Sequence, residues 1–264
     1  MTPKKDEAFE QYKNLAEASL REALVLDNDY LGHMLLAELL KENPERLNEA
    51  EDHLNQAKAL TTNEDMLLTI ENGLGEIAME QAQYHKALQH FQSVAAIDPT
   101  NAEAWYNIAE AYNLLEQVEE AEINYARAIA LEPEIIDYFT ALSRMHMEYG
   151  KASKARLVLE EGLRINPDSA QLRAFLALAV SESGDYRKAE ELLDEAELLD
   201  PELDMVEMYR LLLNVNKTRQ LPAVKKTRQL PGTNKTKQLP GLKNAKKRAR
   251  KESRTQSPKG DGLV

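Results

Sequence analysis

The side chains able to transfer protons, hold metals or attack a carbonyl are plentiful in this chain but poorly assembled. It carries five histidines and 45 Asp+Glu, with no cysteine. His85 and His90 stand five residues apart, which puts them on different faces of a helix, whereas helical metal-binding pairs fall at a spacing of four. His33, His53 and His146 are isolated in sequence, so each histidine reads as a helix-surface or packing residue. The absence of cysteine removes thiolate nucleophiles, disulfides and every cysteine-held zinc or iron–sulfur centre. Gly73 and Gly75 lack the flanking lysine and serine or threonine of a phosphate-cradling loop. Paired carboxylates transfer protons only in an enclosed cleft that drives their pKa values apart, and no pattern here specifies one. No catalytic residue, metal site or cofactor is therefore assigned, and a non-enzymatic chain is expected.

The elements that would position these groups are written in the charge and hydropathy pattern. Over 264 residues, 43% are hydrophobic and 30% charged, the balance of a soluble helical protein. The net charge of -12 hides a division at Asn216. Residues 217–264 hold 15 Lys+Arg against Glu252 and Asp261, or +13, leaving 18 basic and 43 acidic residues, or -25, for residues 1–216. The first residues, MTPKKDEAFEQYKNLAE, lack the apolar centre of a secretory signal. The apolar run from Met34 to Leu40 is far shorter than the roughly 20 residues that span a bilayer. No membrane span and a cytoplasmic location are expected.

Self-comparison at a shift of 34 residues aligns Pro99, Pro133, Pro167 and Pro201. Twelve residues before each stand Ala87, Ala121, Ala155 and Ala189; eight before, Phe91, Tyr125, Leu159 and Leu193; five before, Val94, Ala128, Gly162 and Ala196. Apolar spacing of three and four on either side of a polar break predicts two antiparallel helices per unit. Gly150 and Gly184 fall at the same turn position, where a left-handed backbone suits glycine, and the prolines stop each second helix. Small residues at Gly75, Ala109, Ser143 and Ala177 would let the two helices of a unit approach closely.

This pattern resembles the tetratricopeptide repeat family. In residues 102–135, Trp105, Ile108, Ala109, Tyr112, Ala121, Tyr125, Ala128 and Pro133 fall on its eight signature positions. The unit from Leu68 matches with Leu74, Gly75, Ala87, Phe91 and Pro99, although Glu71 and Ala78 replace the usual aromatics. The resemblance implies an all-α, right-handed solenoid with repeats at 31–64, 68–101, 102–135, 136–169 and 170–203. An N-terminal helix or half repeat precedes them within 1–30, where Ala16, Leu20, Ala23 and Leu26 fit a second helix. A capping helix is expected over 204–216. Such stacks usually present a groove to peptides or protein partners, so a scaffold or adaptor is implied.

In this family the groove is lined from the first helix of each unit. The matching positions here are Asn72, Glu76, Glu80, Glu103, Tyr106, Asn107, Glu110, Asp137, Arg144, Glu148, Phe175 and Glu182. An acidic groove would favour a basic or amphipathic partner segment, with Tyr106 and Phe175 as apolar or cation–π contacts. The family's clamp for the chaperone C-terminal carboxylate would fall on Asn72, Glu76, Asn107, Asp137 and Ala141, of which only Asn107 fits, so that ligand is not expected.

Beyond the repeats, KTRQLP, KTRQLP and KTKQLP recur from Lys217, Lys226 and Lys235, and Lys246, Lys247, Arg248, Arg250 and Lys251 form a basic run. Proline and glycine there predict a disordered tail. It could bind nucleic acid, fold back on the acidic groove, or act as a linker; in a eukaryotic cell the run would also serve as a nuclear localisation signal. Self-association through the end repeats stays open.

Overall fold

Runs of apolar residues at three and four residue spacing, each closed by a cap or a proline, fold into helices that hide one face against the next. A computed structural model describes residues 3–220 as twelve α-helices and one short 3-10 turn, without strands among the described residues. Helices α1 (Pro3–Leu26) and α2 (Tyr30–Lys41) are followed by the 3-10 turn Pro44–Arg46 and α3 (Leu47–Leu60). Four further antiparallel pairs succeed them: α4 (Glu64–Glu80) with α5 (Tyr84–Ile97), α6 (Ala102–Leu114) with α7 (Val118–Leu131), α8 (Ile136–Glu148) with α9 (Ala152–Ile165), and α10 (Ala170–Glu182) with α11 (Tyr186–Leu199). Helix α12 (Met205–Gln220) closes the described stack. The basic run Lys246–Lys251 and the second and third KT[RK]QLP phrases lie outside the described residues.

The ends of these helices follow from their capping residues. Asn63, Asn101 and Ser169 accept from the backbone N–H groups of Met66 (3.1 Å), Ala104 (2.8 Å) and Leu172 (3.1 Å), satisfying donors that a helix start leaves bare. At the other end Asp98, Glu132, Asn166 and Asp200 leave the helical region, with ψ between 69° and 93°, because each precedes a proline that disfavours the helical conformation. Between paired helices the chain turns through a left-handed residue: Gly150 at φ 69° and Gly184 at φ 83°, but also Ala82 at 56° and Glu116 at 59°.

In the pairs α4–α5 and α6–α7, a small residue of the first helix packs with a large one of the second. Gly75, Ala109, Ser143 and Ala177 are buried, as are Phe91, Tyr125, Leu159 and Leu193. The fit is tight at Gly75, where an added Cβ would stand 2.7 Å from Phe91 Cδ1 and 2.8 Å from Cζ. Glycine there lets a phenyl ring lie directly on a helix backbone, and burial of such a ring contributes about 2–3 kcal/mol.

The two ends of the stack are built differently. On α1, Leu20 and Leu24 pack against the core of the first pair, but Ala16 and Ala23, which match buried alanines downstream, are exposed, and Leu26 is 89% exposed. Helix α12 instead buries Val206, Tyr209 and Leu213 over the last pair. It runs four residues past the expected end at 216, into the first KTRQLP phrase, where Lys217 pairs with Glu190.

Candidate functional site

The successive first helices turn the same face toward one concavity, a cleft of about 830 Å³. Glu103, Tyr106 and Asn107 reach it from α6, Asp137, Tyr138 and Arg144 from α8, Phe175 from α10 and Met205 from α12. The loops before α6 and α8 add Asp98 and Glu132. Tyr106 stacks on Tyr138 with ring centroids 5.2 Å apart and 30° between planes, and Tyr125 meets Tyr106 from below at 5.9 Å. Tyr125 donates to Glu110 Oε1 at 2.5 Å, and Arg144 reaches the same oxygen at 3.4 Å. Burial pushes the Tyr106 phenol up to about 12, so the hydroxyl stays neutral. Phe175 is held edge-on against Tyr209 at 5.9 Å.

The charge around this aromatic floor is unbalanced. Among the described residues, Asp98, Glu103, Glu132 and Asp137 have no ion-pair partner, although pairs are abundant elsewhere on the stack. Asp98 accepts from the Thr100 hydroxyl (2.7 Å) and backbone N–H (2.9 Å), which hold its carboxyl below the usual range. The Asp137 carboxylate accepts from Gln171 at 3.4 Å. Four carboxylates thus face one guanidinium, that of Arg144, whose charge is shared with Glu110.

A second trough, about 440 Å³, lies between α2 and α4. Leu31, Met34, Leu35, Glu38 and Lys41 line it along one face of α2, and Thr69, Asn72, Gly73 and Glu76 along one face of α4, with Leu54 of α3 at its base. Here the acids are matched: Glu76 accepts from Lys41 (2.7 Å) and Asn72 (2.8 Å), and Lys41 also meets Glu38 at 2.9 Å. Asn107 Nδ2 donates to Asn72 Oδ1 at 3.3 Å, so the residues lining the trough and the cleft touch.

The expected groove residues therefore divide. Glu103, Tyr106, Asn107, Asp137, Arg144 and Phe175 line the cleft, and Asn72 and Glu76 the trough. Glu110 is half-buried beneath Tyr125 and Arg144, where it holds the floor. Glu80, Glu148 and Glu182, each the last residue of its helix, are exposed and line neither cavity. Asp98, Glu132 and Tyr138 join the cleft without having been expected; the loops after Ile97 and Leu131, fixed by the prolines, were the available signal.

Two polar clusters were not legible as such. His33 and His53, isolated in sequence, meet at 2.8 Å through their Nδ1 atoms. Asn28 Oδ1 lies 2.7 Å from His33 Nε2, which therefore carries the hydrogen and leaves His33 Nδ1 to accept from His53. Burial lowers both imidazole pKa values. Their positions, one on each helix of the first pair, were the signal. Glu71, where the family pattern has an aromatic, is buried with Lys58 at 2.5 Å and His90 at 2.7 Å. Burial raises its pKa, but those two hydrogen bonds outweigh it and hold the carboxyl below the usual range. Among the described residues no three His, Asp or Glu side chains converge as a metal site would require. No described helix is long and apolar enough to cross a membrane.

Paired antiparallel helices stacked in register, lined on one side by their first members, define an α-solenoid of helical repeats. The model of the tetratricopeptide repeat matches residues 78–145 and 146–213, more than half of the chain, and the chain belongs to that family. It is 21% identical over 218 residues to tetratricopeptide repeat-containing protein trd-1 of Caenorhabditis elegans, covering 80% of this chain and 25% of that protein. It is 28% identical over 154 residues to the mitochondrial import receptor subunit TOM70 of Homo sapiens, covering 56% of this chain and 25% of that one. The chain thus spans about a quarter of the length of these relatives. A solved tetratricopeptide repeat protein from Parabacteroides merdae superposes with a TM-score of 0.61 at 16% identity, over 81% of this chain and 84% of that one, a likeness of fold.

Proposed function

We propose that the chain is a protein-interaction scaffold, not an enzyme, whose cleft receives a basic segment of a partner protein. The observation that carries this reading is the set of four carboxylates without ion-pair partners around the Tyr106–Tyr138 floor. A lysine or arginine entering there meets uncompensated negative charge and an aromatic face, each cation–π contact contributing about 0.5–1 kcal/mol at an exposed site. Charge so placed speeds encounter and selects the sign of the partner more than it adds affinity. It also disfavours a carboxylate-terminated ligand. The description of the human relative as a receptor subunit agrees with a role in holding another polypeptide.

The test is a double reversal, Glu103→Lys with Asp137→Lys, in the full chain. Binding of a fluorescent lysine- and arginine-rich peptide should weaken about tenfold or more, with unchanged helical circular dichroism. An unchanged dissociation constant would refute the assignment. The 15 basic residues in 217–264 favour a second reading, attachment to nucleic acid through Lys246, Lys247, Arg248, Arg250 and Lys251. Retention of RNA binding by the same reversed variant, with a steep salt dependence, would separate the two surfaces.

A further inference from the structure

We infer that the partner segment is bipartite, with an apolar side chain seated in the trough between α2 and α4 while its basic side chains sit in the cleft. This rests on the reading of the cleft just given and deepens it. The two concavities share a wall, since Asn72 of the trough and Asn107 of the cleft are hydrogen-bonded at 3.3 Å. A chain laid along the first helices passes from one to the other without leaving the groove.

Their chemistries differ in a way that assigns each half of the ligand. In the trough the carboxylate of Glu76 is already matched by Lys41 and Asn72, so that wall makes no demand for a cation. What it offers is hydrocarbon: Leu31 and Leu35 are each 50% exposed and Leu54 closes the base. Gly73 keeps the base open, because a Cβ there would lie 3.1 Å from Leu54 Cδ1 and narrow the space. In the cleft the balance reverses, with unpaired acids and little aliphatic surface. At the junction, Asn72 Oδ1 is engaged by Asn107 Nδ2, which leaves Asn107 Oδ1 to accept a backbone N–H from an extended ligand. Net negative charge excludes a phosphate-rich ligand from the groove and points to a peptide with Leu, Met or Phe at a fixed offset from Lys or Arg.

Selection of a phage-displayed random dodecapeptide library on the full chain tests this. The expected result is enrichment of two or more basic residues together with one large apolar residue at a constant spacing. Leu35→Asp should then remove the apolar preference and weaken the selected peptide about tenfold while leaving the basic preference. Glu103→Lys with Asp137→Lys should do the reverse. Leu31→Gln, a milder change at another half-exposed site, repeats the first arm should Leu35→Asp disturb α2. Basic enrichment without a spaced apolar residue overturns the bipartite ligand and leaves the cleft reading standing. Absence of basic enrichment overturns both.

Discussion

The middle of the stack is closed by shape and its N-terminal end by charge. In the pairs α4–α5 and α6–α7, Gly75 meets Phe91 and Ala109 meets Tyr125, all buried, with an N–H capped at each first-helix start. Helix α1 has no such counterpart. Its apolar anchors are Leu20 and Leu24, and the rest of its attachment is ionic: Glu17 accepts from Arg46 (2.7 Å) and Arg21 (2.9 Å), both arginines also meet Glu49, and Lys13 pairs with Glu42. The next two helices, α2 and α3, are joined by the His33–His53 pair. One repeat pattern thus yields elements of unequal character. Packed shape responds little to pH, whereas imidazoles respond strongly near neutrality and ion pairs respond to salt.

The largest effect should come from breaking the shape match. Gly75→Leu forces a side chain into the Phe91 ring and is expected to cost about 3 kcal/mol or more in urea unfolding, at the upper end for overpacking. Phe91→Ala alone should cost a similar amount by leaving a cavity. The combination should fall short of the sum by about 1 kcal/mol or more, because the new leucine occupies the vacated space. Additive losses would mean that the two positions are not matched in size. A comparable change on α1, such as Ala16→Leu, meets open solvent and should leave stability within about 0.5 kcal/mol.

A smaller effect should appear as pH falls from 7 to 5, and it should concentrate at the N-terminal end. His33 and His53 have folded pKa values below their unfolded value of 6.5, so the unfolded chain takes up protons first. Stability is then full above that value and declines as pH drops below it, by at most about 1.4 kcal/mol per group per unit. The hydrogen bonds from Arg46 hold Glu17 down to about 2, so its ion pairs persist across this window and the loss belongs to the imidazoles. Hydrogen exchange, corrected for intrinsic rates, should show α2 and α3 opening more at pH 5 while α6 and α7 change little. His53→Gln should remove most of that local response. Buried His146, also shifted down by burial, would leave a residual slope in the global melting temperature.

The shape-closed region was the part most legible in sequence, because a 34-residue period records which side chains must be large or small. The cleft lining was legible through the family resemblance, which assigns Glu103, Tyr106 and Asp137 to the groove face of the first helices. Pairing between elements was not. Nothing in the spacing shows that Lys41 neutralises Glu76, or that Lys58 and His90 compensate Glu71 where an aromatic is usual. Such contacts depend on rotamers of long side chains from different repeats, on which the period is silent. Glu80, Glu148 and Glu182, expected in the groove, are each the last residue of their helix and line neither cavity.

The turns supply the smallest and cleanest refinement, since the pairs from α4 onward share a left-handed turn residue and the α2–α3 pair uses a 3-10 turn. Ala82 and Glu116 hold φ values of 56° and 59° that a side chain disfavours by roughly 1 kcal/mol, the strain being offset by the packing on either side. Glycine relieves it but enters folding with more freedom to lose, so Ala82→Gly and Glu116→Gly should each stabilise by no more than about 1 kcal/mol. Gly150→Ala runs the comparison backwards. A Cβ built there meets nothing within 4 Å, so any loss reflects backbone conformation alone, and about 1 kcal/mol is expected. Urea midpoints at constant m would resolve these shifts. Opposite signs at 82 and 150 would assign the turn cost to the residue, whereas equal signs would mean that neighbouring contacts override it.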